Sequence, residues 1–316
     1  MITRPLGWAQ PLSAPGRRGG LKSSADTGID LAAHRRNDAG MSQHQIPQGP
    51  QRIVCLTEEP TEIFYTLGEG HRVVGISAYT VRPPEARQEK PVVSAFVHGH
   101  LDKIRALEPD LVIGFSDVQA DWARELILAN LPVLILNQRS VQEILDVIVQ
   151  LGSLVGRRDA AQTLCSGYLA RIDALERESR GRPRPRVYFE EWDDPTISGI
   201  HWVSELIEIA GGEDVFRDRA TGKAARDRTV AAADIVRADP ELILASWCGK
   251  PFDGDSLRAR PGLSAVSAVQ ADRVYEVPAE IILQPGPASL TDGLDCLSGH
   301  IARTRAALDG DGNGGR

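Results

Sequence analysis

The sequence predicts an α/β protein: two lobes with parallel sheets, joined by one long helix. Three observations carry this. From Arg52 onward, short apolar runs alternate with helical periods. One unusually long helical period sits midway along the chain. The strand and helix rhythm then restarts, and "IRALEPDLVIGFS" in the first half is echoed by "IVRADPELILASW" in the second. In both, a short helix, a Pro and a buried strand lead to a loop at the strand's carboxyl end, where open α/β sheets bind ligands.

The expected organisation runs as follows. Residues 1–50 are rich in Gly, Pro, Ser, Arg and Gln with no sustained period, which predicts a disordered extension. Met41 stands just ahead of the first strand as an alternative start. The first α/β lobe spans 51–140. "RIVCL" reads as a strand. "PTEIFYTLGEG" reads as a helix capped by Thr61, with Ile63, Phe64 and Leu67 on one face and Gly68 and Gly70 stopping it. The "GEG" follows that helix rather than preceding one, so it is a C-cap and not a phosphate loop. "RVVGIS" is a strand, "HLDKIRALEPD" a helix, "LVIGF" a strand, "DWARELILANL" a helix and "VLIL" a strand. Residues 141–180 form the linking helix: apolar side chains recur from Val141 through Ile148, Val155 and Tyr168 to Leu175 at spacings of three, four and seven. Unbroken, it would run roughly 55 Å at about 1.5 Å per residue. The second lobe, 181–308, reads as strand "RVYFE", a loop, helices "VSELIEIAGG" and "AAADIVRADP", strands "LILAS" and "RVYEV", and a closing helix from about Ala288. Residues 309–316 read as a disordered tail.

The totals narrow the function. The 316 residues are 42% apolar, enough for a sizeable core. Asp and Glu outnumber Lys and Arg by 43 to 36, so the net charge is −7 and a basic, nucleic-acid-binding footprint is not expected. No run reaches the ~18 apolar residues of a membrane span. The N-terminus has neither an apolar leader core nor a lipid-anchor Cys, which places the chain in the cytoplasm as the sequence stands. Cys55, Cys165, Cys248 and Cys296 are scattered without a C-x-x-C pair, so free thiols are expected and a zinc ribbon is not.

Chemistry-bearing residues concentrate in "EEWDDPTISGIHW", Glu190 to Trp202. Its carboxylates Glu190, Glu191, Asp193 and Asp194 could serve as acid and base, but no nucleophile motif accompanies them, and Asp193 and Asp194 before Pro195 suit a turn. In "HGH", His98 and His100 could ligate a metal or a cobalt ion, line a pocket, or sit in a solvated loop. Cys248 in "WCGK" reads as a soft ligand, a thiol tuned by Lys250, or a small loop residue.

The segments "RIVCLTEEPTEIFYTLGEGHRVVGIS", "LDKIRALEPDLVIG", "ELIEIAGGEDVF", "IVRADPELILAS" and "ADRVYEVPA" resemble the helical-backbone class of ABC-importer substrate-binding proteins, in the vitamin B12 and iron-siderophore branch. The resemblance covers about residues 51–306. It implies two Rossmann-like lobes bridged by one rigid helix, a ligand in the cleft between them, and no enzymatic turnover or resident cofactor. Cobalamin or a related corrinoid is the implied ligand, with a ferric siderophore or haem-like chelate as the alternative. Carried over by position, it implies pocket roles for Tyr79, Phe96, His98, His100, Glu190, Trp192, His201, Trp202, Trp247, Cys248 and Gln284. Aromatic side chains would cover the wide faces of such a ligand, and polar groups would fix its edges. The partners implied are a small molecule and an ABC permease with its ATPase, with the binder itself a monomer. Docking carboxylates are expected at Asp102 and, in the second lobe, at a position that reads Ala233 with Asp234 one residue later. That departure and the missing leader leave open a corrinoid carrier that meets no permease, or an enzyme on the same scaffold.

Overall fold

The computed structural model describes residues 48–313 apart from 96, 97 and 223. The expected disordered extension therefore lies almost wholly outside the described residues, as does Phe96.

The first lobe holds strands β1 (Ile53–Cys55), β2 (Val73–Ser77), β3 (Val92–Ala95), β4 (His98–Gly99), β5 (Leu111–Phe115) and β6 (Val133–Leu136). Their order in the sheet is β4-β3-β2-β1-β5-β6, parallel throughout except for the β3/β4 pair. Helices α1 (Glu58–Thr66), α2 (Pro84–Glu89), α3 (Leu101–Ala106) and α4 (Ala120–Leu128) connect them. The second lobe has β7 (Arg186–Asp193), β8 (Thr196–Ser198), β9 (Glu213–Asp214), β10 (Leu242–Ala245) and β11 (Val274–Glu276), in the order β11-β10-β7-β8 with β9 also on β7. In both lobes the strand order reverses beside the first strand, which opens a crevice at the carboxyl ends of the strands.

Alternation along the strands explains the layers. Ile53 and Cys55 face one core, while Val54 and Leu56 face another together with Trp122 and Leu126. In the second lobe Val187, Phe189, Leu242 and Leu244 face the first of these cores, and Tyr188 and Ile243 face an outer layer. One apolar core is therefore shared by both lobes, and the outer layers belong to one lobe each.

The expected unbroken linking helix divides in two. α5 (Val141–Leu154) and α6 (Arg158–Ser179) are separated at Gly156, whose φ of 74° is left-handed and ends the first helix. The two then pack side by side. The Cys165 Sγ lies 3.6 Å from the Leu145 carbonyl oxygen, a contact impossible between residues twenty positions apart on one straight helix. The sequence period survives the break because both helices bury the same apolar stripe. Only α6, roughly 33 Å long at about 1.5 Å per residue, leads into the second lobe.

Other boundaries differ locally. α1 begins at Glu58 with Thr57 as its cap, so Thr61 lies inside the helix. The expected loop after "RVYFE" is instead a hairpin, β7 to β8, turning at Asp194-Pro195. The remaining second-lobe helices are α7 (His201–Ile209), α8 (Arg217–Ala220), α9 (Ala232–Ala238), α10 (Gly254–Arg258), α11 (Ser267–Gln270), α12 (Ala279–Ile282) and α13 (Leu294–Asn313). α13 overruns the expected tail as far as Asn313, since propagating an existing helix costs little.

A Cβ on Gly152 would stand 2.6 Å from the Ala161 Cβ, so the α5/α6 contact requires a residue with no side chain there. Gly152→Val should lower unfolding free energy by about 1–3 kcal/mol through overpacking, read from a urea transition. An unchanged midpoint would mean the two helices are not in close contact.

Candidate functional site

A cleft of about 360 Å³ opens where the two sheets present their carboxyl-terminal loops to each other. The first lobe contributes Thr57, Glu58 and Glu59 after β1, Ser77 to Tyr79 after β2, and Phe115 at the end of β5. The second contributes Cys248 and Gly249 after β10, then Ala279, Glu280, Leu283, Gln284 and Pro285 after β11. Tyr79 is 49% exposed, an aromatic face offered to the cleft. Phe115 is buried on one side and carries the Arg139 guanidinium 5.1 Å from its ring centre. Past Arg139 the inter-lobe groove continues into a second hollow of about 440 Å³, lined by Asp117, Asn137 and His201 among others.

Of the residues expected to bind ligand, Tyr79, Cys248 and Gln284 line the cleft together. His201 lies in the neighbouring hollow, its Nε2 3.6 Å from Glu205. Cys248 is exposed at the rim. Its thiol pKa is nevertheless raised, first by the desolvating walls and then by the carboxylates of Glu191 and Glu58, so it is not a tuned thiolate.

Three expected wall residues prove to be structural. Glu190 is fully buried, and its carboxylate accepts bonds from Arg260 (2.6 and 2.8 Å), Trp247 Nε1 (2.9 Å) and Tyr188 Oη (2.9 Å). No lone pair is left for a ligand. Trp247 is spent on that bond and on an edge contact with Phe252. Trp202 is 3% exposed and donates to the Ile282 carbonyl inside the shared core. Trp192 is half-buried, and the Lys250 ammonium sits 4.7 Å from both the Trp192 and the Trp247 ring centres. Period-two alternation along β7 puts Glu190 on the same face as Tyr188, towards the outer layer of the second lobe.

The other carboxylates of the stretch are matched as well. Glu191 holds the buried Arg228 with two bonds, and Asp193 holds Lys250, which keeps the Asp193 carboxyl below its usual range despite desolvation. Asp194 forms the turn. His98 lies on the antiparallel edge strand β4 and His100 at the start of α3, and neither lines the cleft. Among the described residues, no group of three His, Cys, Asp or Glu could hold a metal ion. Asp102 is exposed in the first turn of α3. The Asp234 carboxylate is engaged by Arg219 (2.9 Å) and Arg237, and by the backbone N–H of Ala231 at the start of α9.

Sequence reasoning missed Phe115, Glu58, Glu59 and Glu280. Their signal was positional: each directly follows or ends a strand, or caps the helix after it.

Comparison with known proteins is consistent with this layout. Residues 53–281 match a family described as periplasmic binding protein. An ABC transporter substrate-binding lipoprotein of Bacillus subtilis is 26% identical over 278 residues, covering 84% of each chain. A vitamin B12-binding protein of Vibrio campbellii is 26% identical over 217 residues, covering 67% of this chain and 77% of its own. Among solved structures, the periplasmic vitamin B12 binding protein of Vibrio cholerae superposes with a TM-score of 0.65 at 23% identity, over 82% of this chain and 99% of that one. A periplasmic heme-binding protein of Roseiflexus reaches 0.69 at 23% identity, over 81% and 100%. The fold is common to both. These relatives are lipoprotein or periplasmic binders, which overturns the expected cytoplasmic location.

Glu190→Ala should destabilise the fold by about 3–5 kcal/mol, because it leaves the partly buried Arg260 guanidinium and the buried Tyr188 and Trp247 donors without their acceptor. The loss should appear in the urea midpoint, while any protein still folded keeps its full ligand stoichiometry.

Proposed function

This chain belongs to the periplasmic binding protein family, the substrate-capturing component of ABC-type importers, and we propose that it captures a corrinoid in the cleft between its lobes. The observation that carries this reading is the cleft's composition: aromatic faces from Tyr79 and Phe115, apolar walls from Val81, Leu283 and Pro285, and polar groups around them from Thr57, Ser77, Gln284 and the carboxyls of Glu58, Glu59 and Glu280. A flat macrocycle rimmed with amides needs that combination. At about 360 Å³ the cleft grips one edge of such a ligand and leaves the remainder at the open mouth. Vitamin B12-binding relatives at 26% identity support the reading. A ferric siderophore or haem-like chelate is the second reading, supported by heme-binding proteins of the same fold.

Turnover is not part of the proposal, because Glu190, Glu191 and Asp193 are each bonded to a cation of their own. For docking on a permease, Asp102 offers a carboxylate open to solvent, whereas Asp234 can serve only by giving up its arginines.

Absorption and calorimetric titration with cyano- and aquocobalamin tests the ligand. Stoichiometric heat is expected with both. Tyr79→Ala should weaken binding by about tenfold, the worth of one aromatic face, without moving the unfolding midpoint. Absence of heat from either corrinoid would discard this ligand class and make ferric siderophores the next to titrate.

A further inference from the structure

The floor of the cleft gathers acidic groups with no cation beside them. Glu58 and Glu59 open α1, and Glu280 faces them from α12. One turn further along α1, Glu62 is paired with Arg82. Glu58, Glu59 and Glu280 form no ion pair among the described residues, and no Lys, Arg or His lines the cavity. Glu59 accepts from the Thr57 hydroxyl at 3.0 Å. Glu58 is different: it is 8% exposed, it lines the cavity, and its Oε2 has no hydrogen-bond partner among the described residues. Buried carboxylates are ordinarily paired, since an unpaired one is costly to desolvate.

The missing partner is the cargo. We propose that Glu58, with Glu59 and Glu280, forms a cation-recognising floor, so that the cleft prefers a ligand bearing net positive charge over its neutral or anionic counterparts. This rests on the cleft's being the ligand site, but not on the ligand's being a corrinoid. It also separates the candidate ligands by charge. Aquocobalamin is a cation and cyanocobalamin is neutral. A hydroxamate chelate with a free ammonium is a cation, whereas haem carboxylates and catecholate chelates bring negative charge against the floor.

The electrostatics give the proposal a pH signature. The start of a helix favours a charged carboxylate. Here burial outweighs it, followed by repulsion from Glu59, Glu280 and Glu62, and Glu58 is pushed up to about 9. Burial likewise raises Glu59 to about 7. The other titratable groups facing them are the Tyr79 phenol and the Cys248 thiol, whose pKa is itself raised by burial. A cation entering the cleft favours the ionised carboxylate and expels a proton. Its affinity must therefore rise with pH towards 9 and fall as the two carboxyls protonate, while a neutral ligand shows no such slope.

The test uses ferrioxamine B, which carries a free ammonium, beside its N-acetylated neutral and N-succinylated anionic forms, together with aquo- and cyanocobalamin. Ferrioxamine B should bind about tenfold tighter than the acetylated form, the scale of one charge contact. Its affinity should climb between about pH 6 and about pH 8.5; in Glu58→Gln, an isosteric change whose folding is checked by its thermal midpoint, the preference should vanish together with the part of the slope above about pH 7 that belongs to Glu58. Glu280→Gln should halve the preference. Equal binding of the charged and acetylated forms, no binding of any cation, or a preference that survives both substitutions overturns the proposal. The corrinoid reading fails separately: if ferrioxamine B binds with the expected preference and neither corrinoid binds, the charged floor stands and the corrinoid falls. If both corrinoids bind with equal affinity, the corrinoid stands and the floor falls.

Discussion

The turn Gln284-Pro285-Gly286-Pro287 of the second lobe sits directly on the first turn of α1, and the shape of the cleft depends on that seat. A Cβ on Gly286 would lie 2.7 Å from the Glu59 Cβ, so only glycine lets the two backbones approach this closely. Polar bonds lock the contact on either side: Gln138 donates to the Pro285 carbonyl at 3.0 Å, and the Ala288 N–H donates to Glu62 at 3.0 Å. Beneath it runs the shared core, where Leu290 and Leu294 meet the residues of α1, α5 and α7. The lobes are thus held by packing along their whole base, a stronger restraint on hinge motion than a single connecting rod. Carboxylates pressed between the lobes by this seat cannot swing out to find water, which is why their protonation is so strongly perturbed.

A second constraint acts deeper in the second lobe. Glu190 gathers Arg260, Trp247 and Tyr188 around one buried carboxylate, and Glu191 gathers Arg228 beside it. Together they fix the loop after β10, so that Cys248 and Gly249 arrive at the rim in one position. The concentration of acidic and aromatic residues that marks this stretch in the sequence is therefore a scaffold for the wall, one layer behind the surface that a ligand would meet.

The α/β rhythm and the division into two lobes were legible because they rest on apolar periodicity, which burial imposes locally; the short strands β3, β4, β8 and β9 were not, being too brief to show a period. The end of the linking helix was not, since α5 and α6 share one apolar stripe and only the backbone sign at Gly156 separates them. Inward and outward faces were misread at Glu190 and Trp202 because their partners are distant in the chain. Glu190 ends the expected strand, but Trp247 and Arg260, which enclose it, come from loops 57 and 70 residues on, and Trp202 in α7 turns into the shared core to meet Ile282. Glu58 and Glu59 stand ahead of the expected helix start and drew no reading. What distinguishes them is the opposing lobe, more than two hundred residues away in the chain, and no local pattern announces that contact.

The common core has a consequence for how such a protein can change over generations. Two lobes that each closed their own interior could be exchanged between relatives as ready-made parts. Here Ile53, Ile148, Phe189 and Leu294 belong to one packed interior, so separating the halves would open an apolar face on each. New specificity must then arise by substitution at the rim, residue by residue, within a body inherited whole.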